Sequence, residues 1–175
     1  MNKFDLKKSI EILEKTPSVI NSLLGGLSDS WINSKYGEDT WSPFDIVGHF
    51  IHGEKTDWIP RAKTILNYGE GKPFVPFDRF AQFTDSKNKT LKDLLDEFLN
   101  LRSQNINLLK NMNLSEQDLD KTGTHPELGK VTLRQLIATW VIHDLNHISQ
   151  IVRAMAANYK EETGPWGEYL PILNK

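Results

Sequence analysis

The sequence predicts an all-α protein, a four-helix bundle with one long crossover loop. Proline, glycine and charge clusters divide the 175 residues into four long amphipathic stretches, without a convincing series of strands or an internal repeat. Residues 67–89 contain two prolines, two glycines and four phenylalanines, and they form the one long connection between predicted helices. Four long helices with one long connection are typical of a bundle, and the chain length suits a single domain over residues 1–175.

The first helix is predicted over residues 6–24. Thr16 and Pro17, in its second half, resemble an N-cap followed by proline at the first helical position, so we expect a kink or a restart of the helix there. The pair Gly25-Gly26 is expected to end the helix, because glycine readily adopts the backbone conformations found after a helix C-terminus.

The second helix is predicted to begin in the stretch TWSPFDIVGHF. Ser42 is the expected N-cap, followed by proline at the first helical position and by Asp45 at the third, which is an acidic form of the capping box. The helix is expected to continue to about Leu66. Pro60 should kink it, because the proline ring clashes with the carbonyl group four residues earlier.

The third helix is predicted from an N-cap at Thr90, with Asp93 at the third helical position, to about Met112. Its apolar residues fall on one stripe that should face the bundle. These residues are Leu91, Leu94, Leu95, Phe98, Leu101, Leu108 and Leu109. Residues 113–131, which include THPELGKV, indicate an irregular turn.

The fourth helix is predicted to start with Thr132 and Gln135 as a capping pair and to run to about Tyr159. At about 100° per residue, one face of this helix should form its core stripe. That stripe comprises Ile137, Val141, Leu145, Ile148, Val152, Met155 and Tyr159. The tail after the helix is expected to be irregular and to pack through Trp166, Tyr169 and Leu170.

A second stripe of the fourth helix carries His143 and His147. It mixes apolar, aromatic and polar residues, which is typical of a pocket wall rather than of a pure core or a solvent face. Its other members are Leu136, Thr139, Trp140, Gln150 and Ala154. Histidines four residues apart point the same way, with Cβ atoms roughly 6 Å apart, so both can bind one ion at about 2.0–2.1 Å. The alternative is two histidines in a partly wet groove, hydrogen-bonded to their neighbours.

A third ligand could come from His49, His52 or His125. His49 has the more apolar neighbours on the second helix and is modestly favoured over His52. His125 precedes a proline in a predicted loop, and we expect it to face water rather than to overhang a site. Three histidines from two helices would leave at least one coordination position open and would suit zinc, nickel or iron.

Other polar residues near the histidine pair have weaker interpretations. HDLNH resembles the zinc-peptidase motif HExxH, but Asp144 is one methylene shorter than glutamate and no matching third ligand follows, so a peptidase is disfavoured. Asp144 should lie behind the ligands or on the helix surface. Gln150 could bond a ligand or orient a bound water, but simple solvation is the favoured interpretation; Asp144 and Gln150 are the only catalytic candidates. Arg153 is expected in a surface salt bridge rather than against an anionic cosubstrate, and Trp140 in the core or the pocket wall.

Composition restricts the classes of function. The net charge is −2, which does not support nucleic-acid binding, and no run of about 18 apolar residues predicts a membrane span. The N-terminus is charged and has no signal-peptide core, so we expect a cytoplasmic protein. The sequence has no cysteine, which excludes disulfides, thiolate metal ligands and a cysteine nucleophile.

Two stretches, WSPFDIVGHF and LGKVTLRQLIATWVIHDLNHISQI, resemble the DinB-like (DinB/YfiT-like) superfamily. Their specific parts are WSxxxxxxH at the start of the second helix and HxxxHxxQ on the fourth, and the resemblance extends over nearly the whole chain. It implies a four-helix bundle with a metal site formed by His49, His143 and His147, with none of the three replaced. It also implies a homodimer.

The superfamily includes bacillithiol-dependent S-transferases and mycothiol-dependent maleylpyruvate isomerases. The leading hypothesis is therefore a divalent-metal-dependent, thiol S-transferase-like enzyme that acts on a small molecule with a low-molecular-weight thiol. A non-enzymatic metal-binding or interaction module and a metal-dependent hydrolase are the alternatives. A general base beside the open coordination position would favour the hydrolase, an anion-binding rim the thiol enzyme, and a sealed pocket the module.

Overall fold

The computed structural model describes residues 3–174, most of which lie in α-helices. The helices are α1 (Leu6–Leu24), α2 (Asp29–Ile32), α3 (Pro43–Thr56), α4 (Trp58–Tyr68), α5 (Ala81–Asp85), α6 (Leu91–Asn111), α7 (Glu116–Leu119) and α8 (Leu133–Ala156). Short 3₁₀ segments occupy Gly69–Gly71, Ala157–Tyr159, Glu161–Tyr169 and Pro171–Leu173. The predicted all-α class and four-helix bundle are confirmed, with α1, α6, α8 and the joined pair α3 and α4 as the four arms.

Local hydrogen bonds set the start of three of the four arms at the predicted caps. Each cap hydroxyl accepts from the backbone N–H of the third helical residue, whose side chain in turn accepts from the backbone N–H of the cap, so two otherwise unpaired donors are satisfied. The pairs are Ser42 with Asp45, Thr90 with Asp93 and Thr132 with Gln135.

The restart expected at Thr16 and Pro17 is wrong, because α1 continues through both residues. Thr16 does not cap a new helix; its hydroxyl donates to the carbonyl of Ile12. Proline has no N–H, so the carbonyl of Leu13, four residues before it, lacks its helical donor. That carbonyl accepts instead from Nη1 of Arg102 at 2.9 Å, which lets the helix tolerate the proline.

The interruption predicted by Pro60 is confirmed and occurs three residues earlier. Helix α3 ends at Thr56 and α4 begins at Trp58, with Asp57 between them at φ −107° and ψ −74°. The turn at Asp57 redirects the chain without ending the arm, and it turns the Asp57 side chain towards the cavity described below.

The irregular turn predicted over residues 113–131 is wrong. That region contains α7 and an antiparallel hairpin of β1 (Thr122–His125) and β2 (Gly129–Thr132), with Thr122 opposite Thr132. The strands have four residues each and lack an apolar alternation, so they carry no strand signal of their own. Packing supports the hairpin instead, because the backbone N–H of Phe74 donates to the carbonyl of Thr124 and extends the pairing.

The core stripe predicted on α8 is partly wrong: Ile137 is buried and Val141, Ile148, Val152 and Met155 are half-buried, but its other two members are exposed. Leu145 is 45% exposed and Tyr159 is 57% exposed. The buried residues of α8 are Leu133, Leu136, Ile137, Trp140, Asp144, His147, Ile151 and Ala154. The inward face of α8 thus includes Asp144 and His147, which a prediction of the core from apolar residues alone leaves out. On α6, Leu108 is exposed although the other predicted stripe residues are buried or half-buried.

The tail is more regular than predicted and packs through a different residue. Trp166 and Tyr169, expected to anchor it, are 67% and 83% exposed, whereas Leu173 is buried. Within residues 3–174, no helix combines the length and the apolarity needed to cross a lipid bilayer.

Two apolar clusters form the core, and the group of three histidines described below lies where the two clusters meet. One contains the stacked rings of Trp58 and Trp140, with centroids 5.6 Å apart, and the other the stacked rings of Phe50 and Phe98, 5.0 Å apart. Arg102 lies between them, with its Cζ 5.0 Å from the Phe98 ring and 5.1 Å from the Trp140 ring.

Candidate metal centre

Three histidines from two helices converge on one point. His49 lies on α3, about two turns after the Ser42 cap, and His143 and His147 lie one turn apart on α8. Nε2 of His49 is 3.1 Å from Nε2 of His143, and one ring nitrogen of each histidine lies within 4.8 Å of the other two. This is the cluster that the face of α8 and the family resemblance indicated.

Aromatic rings surround the three imidazoles. The Trp41 ring is 4.8 Å from the His49 ring and stacks on the His147 ring at 6.1 Å, while the Trp58 ring meets the edge of His143 at 5.0 Å. His49 and His147 are buried, at 5% and 7% exposed. The rings are thus held in place by packing, and water reaches them only from the cavity.

Burial keeps two of the three rings neutral. It lowers the pKa of His49 to about 3 and that of His147 to about 4, and the neighbouring imidazoles add to both shifts. Nδ1–H of His147 donates a hydrogen bond to Oε1 of Gln150 at 2.9 Å, which leaves the Nε2 lone pair free to face the cluster. Neutral imidazole is the form of histidine that binds metal ions.

Acidification is predicted to destabilise the metal-free protein. The pKa values of His49 and His147 in the folded state lie below the unfolded value of about 6.5, so the unfolded chain binds more protons between those values. Stability is therefore highest above about pH 6.5 and falls towards about pH 4, by up to about 1.4 kcal/mol per pH unit for each ring. Urea unfolding of chelator-treated protein across this range measures the loss. A double variant His49→Gln/His147→Gln should show a shallower dependence, and equal slopes would contradict the assignment.

The cluster opens into a cavity of about 860 Å³. Its walls come from α3, α4 and α8, from the connector before α3, from the aromatic loop after α4 and from the tip of the hairpin. The lining includes Trp41, Phe77 and Arg79 from these loops. The volume is within the range of small-molecule sites, and the mixture of apolar walls with a few polar groups is typical of them.

The other histidines lie outside the cluster. His125 was expected to face water, and this is wrong, because it lines the cavity; its Nδ1 accepts from the backbone N–H groups of Glu127 and Leu128, both at 3.2 Å. His52 packs its ring on Phe77 at 4.9 Å, and its Nδ1 is 3.6 Å from a carboxylate oxygen of Asp85.

Asp144 lies beneath the cluster rather than in the cavity. Its side chain is fully buried and ion-paired with Arg102, and its Oδ1 is 3.9 Å from Nδ1 of His143. Asp144 therefore lies behind the three histidines, and the helix surface is excluded. Gln150 does line the cavity, where its amide oxygen holds His147.

The pair Asp57 and Arg61 in the cavity wall was missed by the sequence analysis. The two side chains form an ion pair, and both residues are almost fully buried. Burial raises the pKa of Asp57 above its ordinary value even though Arg61 opposes the shift. The sequence feature that could have indicated this pair is the helix interruption predicted by Pro60, because the interruption leaves Asp57 outside both helices.

The surface salt bridge expected for Arg153 is wrong. Arg153 lines the cavity with its Cζ 4.2 Å from the centre of the Tyr36 ring, and its buried Nε has no hydrogen-bond partner in the described part of the chain. The connector that supplies Tyr36 was predicted only as a link between helices.

Proteins of known sequence and structure resemble this chain over most of its length. The proteins named "Putative metal-dependent hydrolase" in Bacillus cereus (strain 03BB102) and Bacillus thuringiensis subsp. konkukian (strain 97-27) are each 26% identical over 145 residues, covering 81% of this chain and 80% of the relative. A solved structure is described as "YfiT from Bacillus subtilis is a probable metal-dependent hydrolase with an unusual four-helix bundle topology". It aligns with a TM-score of 0.76 at 23% identity over 94% of this chain and 90% of its own.

The sequence profile of the DinB superfamily matches residues 12–151. That span includes the three clustered histidines and parts of all four arms of the bundle, and the cluster fits a metal-dependent function. The chain therefore belongs to the DinB superfamily.

Proposed function

We propose that this protein is a divalent-metal-dependent enzyme of the thiol S-transferase type, acting on small molecules. The observation that carries the proposal is the convergence of three imidazoles at the inner end of an open cavity. Zinc, nickel and iron are the candidate ions, because three imidazoles suit borderline divalent metals. A metal-binding module without activity is less well supported, since such a module would not need a cavity of about 860 Å³.

One pair of the three histidines has the separation expected for two ligands of one metal ion, and burial keeps His49 and His147 in the neutral form that binds metal. Two nitrogens that each bind one ion at about 2.0–2.1 Å, with tetrahedral or octahedral angles, lie about 2.9–3.4 Å apart. The separation of 3.1 Å between Nε2 of His49 and Nε2 of His143 falls in that range. Three protein ligands would leave a position for substrate, as in catalytic rather than structural sites.

Other residues of the chain would prepare the reacting groups. A bound divalent ion supplies Lewis acidity, which lowers the pKa of a thiol or water at its open position. Gln150 keeps the His147 ring in the binding tautomer, and Trp41 and Phe77 flank the histidines and limit access of water. In transfer, the thiol loses its proton to solvent, its sulfur bonds to an electrophilic carbon, and the leaving group departs with its electron pair. The absence of cysteine is compatible with this chemistry, because the chain has no thiol of its own to compete for the electrophile.

Hydrolysis is the second candidate. Two observations favour it: the relatives named as metal-dependent hydrolases, and the buried carboxylate of Asp57 in the cavity wall. Burial raises the pKa of that carboxylate, which makes it a better proton acceptor for an attacking water molecule than an exposed aspartate.

Elemental analysis of tag-free protein, grown and purified with divalent ions present, tests both candidates. We expect close to one equivalent of a first-row metal per chain. The loaded protein is then assayed with low-molecular-weight thiols and a chlorinated aromatic acceptor, and separately with activated esters. Thiol-dependent release of chloride supports the transferase, and ester cleavage without thiol supports the hydrolase. A protein without stoichiometric metal would contradict both.

A homodimer, which the resemblance implies, also remains a proposal. Ile142 and Leu145, which are 63% and 45% exposed on α8, are the residues that we propose for contact with a second copy. Light scattering should then give twice the chain mass of 20.1 kDa.

A further inference from the structure

Arg153 is held rigidly in the cavity wall. The guanidinium Cζ lies 4.2 Å from the centre of the Tyr36 ring, within the range of a cation–π interaction. Tyr36 is fixed in turn, because its hydroxyl donates to the carbonyl of Leu173 at 3.3 Å. The connector, α8 and the C-terminal segment thus set the orientation of one guanidinium, which reduces the entropy lost when it binds a partner.

The hydrogen-bonding edge of this guanidinium has no partner among the residues that the structure describes. Stacking on Tyr36 uses the face of the group and leaves the N–H groups at its edge available. The Nε is buried and no acceptor within residues 3–174 satisfies it. A buried donor without an acceptor is costly, so the site requires a ligand atom or an ordered water molecule there. The planar fork of arginine matches a carboxylate, to which it donates two parallel hydrogen bonds.

Arg153 forms no ion pair with a carboxylate of the described cavity lining. Arg61 is paired with Asp57, and the two charges cancel each other. Arg79 adds a cation, and Asp39 and Glu127 add two carboxylates, neither of which forms an ion pair with Arg153.

Arg153 and the histidines lie on the same wall at a separation that a small molecule can span. Arg153 follows His147 by six residues and His143 by ten, which corresponds to about 9 Å and about 15 Å along the axis of α8. Gln150 lies between them on the lining.

The geometry points to a carboxylate-binding subsite formed by Arg153 on Tyr36, which holds the acidic end of a ligand whose other end reacts at the three histidines. This inference rests on the proposed function and narrows it to substrates or cosubstrates that carry a carboxylate several bonds from the reacting atom. A neutral molecule of the same length would leave the guanidinium unpaired and bind more weakly.

Matched thiols test the subsite in cobalt-loaded protein. Mercaptopropionate and mercaptohexanoate are each compared with the mercaptoalcohol of the same length, and the sulfur-to-cobalt absorption band reports binding. We expect at least one acid to bind about tenfold more tightly than its alcohol, as for a charge-assisted hydrogen-bonded pair. Arg153→Met should abolish this preference, and Arg153→Lys should keep only part of it. Arg134→Met, which removes the same charge far from the cavity, should retain it.

A second measurement does not depend on the metal. Chelator-treated protein is titrated with hexanoate or hexanol while the Nε–H signals of the arginines are followed by NMR. Hexanoate alone should shift one signal, and that signal should be absent in Arg153→Met. If cobalt or thiol fails to bind but hexanoate shifts the signal, the proposed function fails and the subsite stands. Equal binding of acids and alcohols, or a preference that survives in Arg153→Met, would overturn the subsite and leave the metal site intact.

Discussion

Replacing His143 with alanine is expected to lower the affinity of the protein for zinc or nickel by about 100-fold or more. Loss of a residue that only supports a ligand typically costs about 10–100-fold in metal affinity, and loss of a ligand should cost at least as much. His143 lies close to both of the other rings, with its ring centroid 5.1 Å from that of His49 and 4.3 Å from that of His147. Competition with a chromophoric chelator measures the affinity, and circular dichroism verifies that the variant is folded.

His125 provides the matched control, because it lines the same cavity and is not a member of the cluster. His125→Ala should bind metal as the wild type does. Gln150→Leu should bind metal about tenfold more weakly than the wild type, an affinity between those of His125→Ala and His143→Ala. It leaves all three histidines in place and removes only the acceptor that orients His147. An unchanged affinity in His143→Ala, or an equal loss in His125→Ala, would refute the three-histidine site.

Features that depend on neighbours in the chain could be predicted from the sequence. The capping boxes at Ser42, Thr90 and Thr132 involve residues three positions apart, and all three are present as expected. The interruption before Pro60 follows from the geometry of one residue. The pairing of His143 with His147 follows from helical spacing, whereas the choice of His49, which lies 94 residues earlier, rested on the family resemblance.

Features that depend on distant partners were missed. Asp144 lies on the core face of α8 because Arg102, 42 residues earlier, pairs with it. A core stripe predicted from apolar residues alone leaves out this charged residue and therefore differs from the face that is actually buried. Arg153 was assigned to the surface because its stacking partner, Tyr36, lies in a connector without a recognisable pattern. The same holds for Pro17, which α1 tolerates because a side chain on α6 satisfies the carbonyl that the proline leaves free.

The second large effect is expected at Arg102, which joins all four arms of the bundle. Its guanidinium donates to Asp144 on α8 at 2.5 and 3.0 Å, to Glu54 on α3 at 2.9 Å and to the carbonyl of Leu13 on α1 at 2.9 Å. Asn105 donates to both the carbonyl and the carboxylate of Glu54. Arg102, Glu54 and Asp144 are buried, so bulk water cannot replace any of these bonds.

Asp144 and Glu54, the two carboxylates paired with Arg102, differ in the direction of their pKa shifts. Burial would raise the pKa of Asp144, but the attraction of Arg102 outweighs it and holds the pKa below its ordinary value. At Glu54 burial prevails over Arg102, and the pKa is raised. Removing Arg102 would therefore leave Asp144 as an unpaired buried charge directly beneath His143, with the Leu13 carbonyl unsatisfied as well.

Arg102→Met should lower the free energy of unfolding by about 3–5 kcal/mol, the cost of breaking a buried ion pair by removing one partner. This is a large share of the roughly 5–15 kcal/mol that stabilises a typical domain. Arg102→Lys should also be destabilising, because an ammonium group cannot reproduce the planar fork that spans Asp144 and Glu54. Urea unfolding at neutral pH measures both variants.

Arg134 supplies the contrasting arginine. It pairs with Glu116 and Asp120 at the surface, where water and salt screen an ion pair and leave it a small contribution to stability. Arg134→Met should therefore have a small effect, although it removes the same charge. If Arg102→Met is too unstable to measure, Asp144→Asn and a double-mutant cycle of Arg102→Lys with Asp144→Asn give the coupling between the partners. A coupling near zero, or an Arg102 effect no larger than that of Arg134, would show that apolar packing alone holds the four arms together.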